Sequence, residues 1–164
     1  MWTLEFFVQL VSVTIGSAGL AILFGVRPKH LPFALVGASL TFIMYSFIEH
    51  FGMSLFSAAF ISTAFAALLA ELCARWRRAP AMIFLLPFLF PTIPGGSLYR
   101  TMSNLLLRDY DLAFEYFMIT MKVSIGIAGG IVTVSLFVKV IVSIIDIIKN
   151  KNKESNADED RTEI

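Results

Sequence analysis

Charged residues are scarce in this chain. They make up 15% of its 164 residues, whereas 57% of the residues are hydrophobic and 16 are phenylalanine. An ordinary soluble domain carries about 25% charged residues, and a soluble core of this length could not bury so much apolar surface. A bilayer supplies an apolar solvent, and a helix that spans it needs about 20 mostly apolar residues. The composition therefore predicts an all-α integral membrane protein.

Cysteine, histidine and enzyme motifs are equally sparse. Cys73 is the only cysteine, so an intrachain disulfide and a cysteine metal cluster are excluded. His30 and His50 fall at the ends of apolar runs, and no His-Glu-x-x-His motif occurs. Leu98 after Gly95-Gly96-Ser97 replaces the second glycine of a serine nucleophile turn. We therefore expect no catalytic residue, no enzyme activity, no cofactor, no metal and no nucleic-acid partner.

The apolar runs give the number of spans. A basic leading region and a small-residue cleavage site are both missing before Arg27, so the first run is interpreted as a span rather than a signal peptide. Spans are predicted over about residues 6–26, 31–48, 53–71 and 117–145, within a membrane domain of residues 1–148. Residues 149–164 are polar and charged, which predicts a disordered tail.

A fifth span is predicted over residues 81–108, but it is interrupted. Prolines recur there at Pro80, Pro87, Pro91 and Pro94, and Gly95-Gly96 follows. Each interior proline removes a helical hydrogen bond, so we expect two half-helices that together cross once. The alternative is a re-entrant segment, which leaves four spans and places the basic tail outside.

Basic residues predict the orientation. If the amino terminus is outside, three cytoplasmic segments contain Arg27 and Lys29, then Arg75, Arg77 and Arg78, then Lys149, Lys151 and Lys153. Cytoplasmic loops carry an excess of lysine and arginine. The expected location is the plasma or inner membrane, with the carboxyl terminus in the cytoplasm.

The segment after the prolines is the predicted functional site. Backbone without helical hydrogen bonds is tolerated at membrane depth only where protein or water satisfies it, and broken helices form many transporter sites. The second half-helix directs unpaired amides and its positive end at the break. Amides and a guanidinium suit a carboxylate. The predicted substrate-binding residues are Pro94, Gly95, Gly96, Ser97, Arg100, Thr101 and Asn104. The alternative is a structural kink, with Arg100 reaching the interface or pairing with Asp109 or Asp111.

Small residues mark packing surfaces. Ala58, Ser62, Ala66 and Ala70 recur at four-residue spacing, and Gly126 and Gly130 form a Gly-x-x-x-Gly pair. Such ridges let helix backbones approach closely, either within this chain or against a partner. Lys122 and Lys139 are about 25 Å apart on a helix, so both can extend to opposite interfaces, although a functional cation at Lys122 is the alternative.

The stretch of residues 90–102 resembles the Pro-Gly…Tyr-x-x-Met signature of the threonine/serine exporter family, with Ser97, Tyr99 and Met102 at matching positions. The resemblance covers about residues 5–145 and is greatest to the small free-standing component equivalent to the family's carboxyl-terminal half. It does not assign Arg100 or Gly96, whose predicted role depends on helix-terminus chemistry alone.

The resemblance implies export of small carboxylates: threonine and serine, or dicarboxylates such as succinate. It implies alternating access with a larger membrane subunit of the same family, in contact with the lipid bilayer, and self-association is the alternative. Halves with an odd number of spans have opposite orientations, and such halves form substrate sites at their interface. A non-transporting membrane scaffold is the second candidate function.

Overall fold

The described residues form a bundle of six α-helices. The computed structural model describes residues 4–162, and the side chains of residues 4–144 and of Ile147. The helices are α1 (Leu4–Leu23), α2 (Leu31–His50), α3 (Leu55–Arg77), α4 (Met82–Leu89), α5 (Gly95–Leu106) and α6 (Tyr110–Thr162), with 3₁₀ turns at Pro28–His30 and Phe90–Thr92. No strand occurs among the described residues. The all-α prediction is confirmed.

Four helices are long and apolar enough to span a membrane, and a bent pair raises the number to five. The four are Leu4–Leu23, Pro28–His50, Leu55–Arg77 and Tyr110–Ile144. The pair is Met82–Thr92 followed by Gly95–Leu106, with a bend of 56°. The prediction of about five helices with the fourth broken at the proline and glycine motif is confirmed. Most helix ends lie within a few residues of the predicted span ends.

Left-handed residues end α1 and α3 at the same end of the bundle, which we call the basic end for its residues Arg27, Lys29, Arg77 and Arg78. Gly25 has a φ of 67°, and the amide of Val26 then closes α1 on the carbonyl of Ala21 at 2.9 Å. Arg78 has a φ of 50°, and the amide of Ala79 bonds the carbonyl of Ala74 at 3.0 Å. Both terminal turns thus satisfy carbonyls that the helix leaves unpaired.

Helix α4 is enclosed by α1, α2 and α3. Phe84 and Phe88 are fully buried, packed with the alanines of the second half of α3. A Cβ atom at Gly37 of α2 would overlap the Phe88 ring, and one at Gly16 of α1 would overlap the Phe90 ring. The two glycines therefore act as sockets for aromatic rings, which holds the first half-helix inside the bundle.

The second half-helix leaves this core and lies on α6. Thr92 comes ten residues after Met82, which places the break about 15 Å from the basic end, near the middle of the about 30 Å length of α2. Helix α5 then adds about 18 Å, and the whole exceeds a hydrocarbon thickness of about 30 Å. Leu107–Asp109 joins α5 to α6, with Arg108 at a φ of 62° and the Asp109 carboxylate accepting from the Leu112 amide at 3.2 Å.

Helices α3 and α6 run parallel in close contact. A Cβ at Gly126 would lie 2.8 Å from the carbonyl oxygen of Phe56, and one at Gly130 would lie 2.7 Å from that of Phe60. Because α3 and α6 advance in the same direction, the chain between them must return from the end of α3 and pass the level of its start, since Tyr110 comes sixteen residues, or about 24 Å of helix, before Gly126. The α4–α5 pair makes this return.

The small-residue surfaces are used inside the chain. The Gly126/Gly130 pair faces α3, and the alanines of the α3 ridge are buried. Lys122 and Lys139 are both exposed. The structure continues α6 as helix to Thr162, and the disordered tail predicted for residues 149–164 stays a prediction. Its cytoplasmic location stays a prediction.

Candidate functional site at the helix break

The site begins where the backbone leaves the helical pattern. Ile93 is extended, with a φ of −64° and a ψ of 124°, and Pro94 precedes the first residue of α5 without a side-chain cap. The Gly95 amide donates to the Ile93 carbonyl at 2.8 Å, and the Leu98 amide donates to the Pro94 carbonyl at 3.0 Å. Between them, the amides of Gly96 and Ser97 have no acceptor among the described residues.

The two glycines leave these amides accessible. Gly95 and Gly96 are exposed, and a Cβ atom at either position would meet no atom within 4 Å. The first amides of a helix attract anions, because they are unpaired donors at the positive end of the helix dipole. The break therefore presents two free donors to any anion that approaches it from the open side.

Arg100 adds a full positive charge one turn into α5. Its side chain is exposed, and Nη1 donates to the hydroxyl of Tyr116 at 3.1 Å. Among the described residues it forms no ion pair, since Asp109 instead caps α6 through the Leu112 amide. The alternative in which Asp109 or Asp111 neutralises Arg100 is therefore not observed, and the guanidinium keeps donors free for a ligand.

The remaining predicted residues do not all converge on the break. Thr101 is 8% exposed, and its hydroxyl donates to the Ser97 carbonyl at 2.8 Å. It packs against α6 beside an apolar cavity that Ala113 and Phe117 also line. Asn104 is half-buried, but it lies about 12 Å along α5 from Gly96. One small carboxylate cannot bridge that distance, so among the predicted residues only the amides, Ser97 and Arg100 lie close enough together to share one small ligand.

The apolar side chains of helix α5 face away from the rest of the bundle. Exposed fractions reach 64% at Met102 and 84% at Leu106, and Tyr99 is 74% exposed. The polar Ser97, Thr101 and Asn104 are all less exposed than these. This distribution suits a helix surrounded by lipid or by another apolar surface, because the polar face is then kept away from hydrocarbon.

Two features near the break were not identified from the sequence. Tyr116 positions Arg100, and its aromatic ring within an apolar run gives no signal of that role. Ser17 is fully buried on α1 next to the Gly16 socket, and its hydroxyl has no hydrogen-bond partner in the part of the chain that the structure describes. Thr41, also fully buried, lies one turn after the Gly37 socket and donates to the Gly37 carbonyl at 2.9 Å. Hydroxyls inside apolar runs were the only available signal.

Similarity to known proteins agrees with this architecture. Residues 9–137, which include every residue of the break, match the protein family described as Threonine/Serine exporter, ThrE. The chain belongs to the threonine/serine exporter family. No curated protein and no solved structure matches it.

Membership of the threonine/serine exporter family confirms the resemblance seen in residues 90–102. The family members are transporters rather than enzymes, and with the apolar helices this identifies a multi-pass membrane protein of exporter type.

Proposed function

We propose that this chain is one subunit of a secondary exporter for small carboxylates, and that it works by alternating access together with a complementary half. Threonine, serine and dicarboxylates such as succinate are the proposed substrates. The observation that carries the proposal is the open helix break, where the free amides of Gly96 and Ser97 lie one turn from the unpaired charge of Arg100.

A carboxylate fits the donors at this break. Its two oxygens accept from backbone amides at a helix start, and a guanidinium offers a planar pair of donors in the geometry that a carboxylate prefers. Ser97, half-buried beside the amides, supplies a hydroxyl for a further polar group of the substrate. These contacts support the substrate class, and they do not distinguish an amino acid from a dicarboxylate.

The exposure of the break supports a second half. Gly95 and Gly96 have open space around them, and Arg100 is exposed. Pockets for small ligands bury most of the ligand surface, so another surface must cover the break before a substrate is enclosed. The parallel course of α3 and α6 supports an odd number of crossings, and a five-span half requires an oppositely oriented partner to complete an inverted pair.

A non-transporting scaffold remains the second candidate function. A scaffold gains nothing from unpaired amides inside a membrane, since each unsatisfied group is costly where water is absent. Export assays distinguish the two functions. The complex that co-purifies with this chain is reconstituted into liposomes loaded with labelled threonine, serine or succinate. Efflux above that of equally loaded liposomes without protein supports the exporter. A complex whose subunits stay tightly associated but which moves none of the three substrates supports the scaffold.

A further inference from the structure

A cavity of about 250 Å³ opens at the basic end, away from the helix break. Its lining contains four cationic side chains and no carboxylate. These are Arg27, Lys29, Arg77 and Arg78, and none of them forms an ion pair with any described residue. Arg77 donates from Nη2 to the Lys29 carbonyl at 3.1 Å, which ties the two basic segments together across the cavity.

The positive charge exceeds what the helices themselves require. Helices α1 and α3 end here, and each carboxyl end contributes roughly half an elementary negative charge. Two ends therefore offset about one of the four positive charges. An excess of basic residues at one membrane face also follows from topology, but topology alone does not require them to surround a single cavity.

A buried polar atom points to a ligand in the same cavity. His30 lines it and is only 5% exposed, with its ring held edge-on against Phe84 at 5.5 Å between centroids. The Nδ1 atom of His30 is buried without a hydrogen-bond partner among the described residues. Buried polar groups are nearly always paired, and in the tautomer that carries its proton on Nδ1 this atom can donate to an oxygen atom of a molecule in the cavity.

An apolar groove adjoins the cavity. It measures about 230 Å³ and lies between α2 and α3, lined mainly by Phe33, Val36, Leu40, Leu69 and Cys73. Arg77 joins the two spaces, because its guanidinium carbon lies 4.6 Å from the centre of the Phe33 ring. From Phe33 to Leu40 the groove runs about 10 Å toward the middle of the membrane. Exposed Trp76 stands beside its mouth, 5.7 Å from Phe33.

We propose that this composite surface binds one anionic phospholipid, with the phosphate in the basic cavity and an acyl chain in the groove. Basic pockets between membrane helices suit anionic headgroups, and arginine is well shaped for phosphate oxygens. An amino-acid substrate fits poorly, because its ammonium group would meet four cations and no carboxylate. The groove also gives hydrophobic contact that a free anion cannot use.

The test uses Trp76 as a reporter in the full chain, with Trp2→Phe removing the other tryptophan. The protein is reconstituted in vesicles of phosphatidylcholine with a minority of phosphatidylglycerol, and bromine is placed on the acyl chains of one lipid at a time. We expect brominated phosphatidylglycerol to quench Trp76 far beyond its share of the bilayer. The preference should fall at least about five-fold in Arg27→Gln/Lys29→Gln, since each basic residue near a membrane surface contributes a factor of about five.

Matched variants separate the site from general charge. Arg75→Gln/Lys139→Gln removes two charges that line a different depression together with Glu71, and it should keep the preference. Val36→Phe, at a 60% exposed position, fills the groove without changing charge and should weaken it. An equal loss of the phosphatidylglycerol preference in the control pair overturns the proposal. So does the absence of that preference in the protein with the unaltered cavity. If phosphatidylglycerol shows no preference while inorganic phosphate binds the unaltered protein and not Arg27→Gln/Lys29→Gln, the cavity takes free phosphate and the lipid assignment is wrong.

Discussion

Nη1 of Arg100 lies 3.1 Å from the hydroxyl oxygen of Tyr116, and the Arg100 guanidinium carbon is 5.3 Å from the centre of the same ring. One hydrogen bond and one ring contact thus fix the arginine of α5 against α6. A guanidinium has five N–H donors, so this arrangement orients the group and leaves most of its donors unused. The positioned charge and the two free amides are the donors that the proposed carboxylate site would use.

Arg100 is expected to be essential for export. Arg100→Ala should abolish efflux from liposomes that contain the complete complex, while the amount of folded protein stays normal. Arg100→Lys should recover little activity, because an ammonium cannot copy the planar two-pronged contact of a guanidinium. Arg108→Asn is the matched control, since it removes an exposed charge in the connection that follows α5, at a left-handed position that asparagine tolerates. Normal export by both Arg100 variants would make Arg100 an interfacial residue and move the site elsewhere.

Tyr116→Phe tests the orienting contact. The ring remains and only the hydroxyl partner of Arg100 is lost, so we expect a higher half-saturating substrate concentration with a smaller change in maximal rate. A typical net hydrogen-bond contribution of about 1 kcal/mol corresponds to roughly a five-fold change. The measurement is efflux rate against internal substrate concentration, compared with Tyr110→Phe on the same helix. No change in either constant would show that the Tyr116 hydroxyl has no role in export.

The close contact of α3 and α6 should tolerate no added bulk. A Cβ at Gly130 would lie 2.7 Å from the Phe60 carbonyl oxygen and 2.9 Å from the Ala64 amide nitrogen. Backbone cannot move away as a side-chain tip can, so Gly130→Leu should destabilise the fold by about 1–3 kcal/mol or more. Gly19→Leu is the control, because open space surrounds Gly19. The stability of both variants is measured in detergent as the temperature at which half of the monodisperse protein peak is lost. Equal midpoint temperatures for the two variants would contradict the close packing of α3 on α6.

The same glycines show what sequence reasoning could and could not predict. Their spacing identified a packing surface, because close helix approach needs small residues at that period. Which helix the glycine pair contacts depends on the tertiary arrangement, and the sequence of one helix does not determine that arrangement. Likewise, proline and glycine chemistry predicted the break and its free amides, whereas the turn of Thr101 toward α6 and the Arg100–Tyr116 contact depend on how two helices meet.

The Gly37 socket and the Phe88 ring should be energetically coupled. Gly37→Ala adds a methyl group that would overlap the Phe88 ring, and we expect the free energy of unfolding to fall by about 1–3 kcal/mol. Phe88→Leu alone should also destabilise, because it leaves a gap. In the double variant the smaller side chain accommodates the methyl group, so its loss should be less than the sum of the two single losses. Strict additivity in thermal stability would show that the two residues do not share one packing site.

Orientation is the fifth prediction. We expect Gly52, in the turn between α2 and α3, to face the outside, and the carboxyl terminus to lie in the cytoplasm. A reporter active only in the cytoplasm is fused after Gly52 in one chain and after Ile164 in another. Activity at the carboxyl terminus and silence at Gly52 supports five crossings. Activity at Gly52 with silence at the carboxyl terminus contradicts this orientation, and matching activity at both sites indicates an even number of crossings between them.

The outer face of α5 is where a partner subunit is expected to bind. Gly126 and Gly130 of α6 pack against α3 within the chain, so they are not available to bind a partner subunit. Tyr99 and Met102 lie one turn apart and are 74% and 64% exposed, on the half-helix whose break a partner must cover. Met102→Glu should therefore reduce co-purification of the partner and export together, while leaving the thermal stability of the isolated chain unchanged. A loss of about 2 kcal/mol, typical of a residue central to an interface, corresponds to roughly a thirty-fold weaker complex.

The control for this surface is Ile125→Glu, at a 63% exposed position of α6, which adds the same charge to a face that the break does not adjoin. This variant should place a carboxylate on a lipid-facing surface at a cost in stability similar to that of Met102→Glu, and the complex with the partner should still form. Liposomes containing only this chain should show no efflux above background, because the uncovered break cannot enclose a substrate. Robust efflux from such liposomes would refute the two-component proposal and leave self-association as the way in which the second half is supplied.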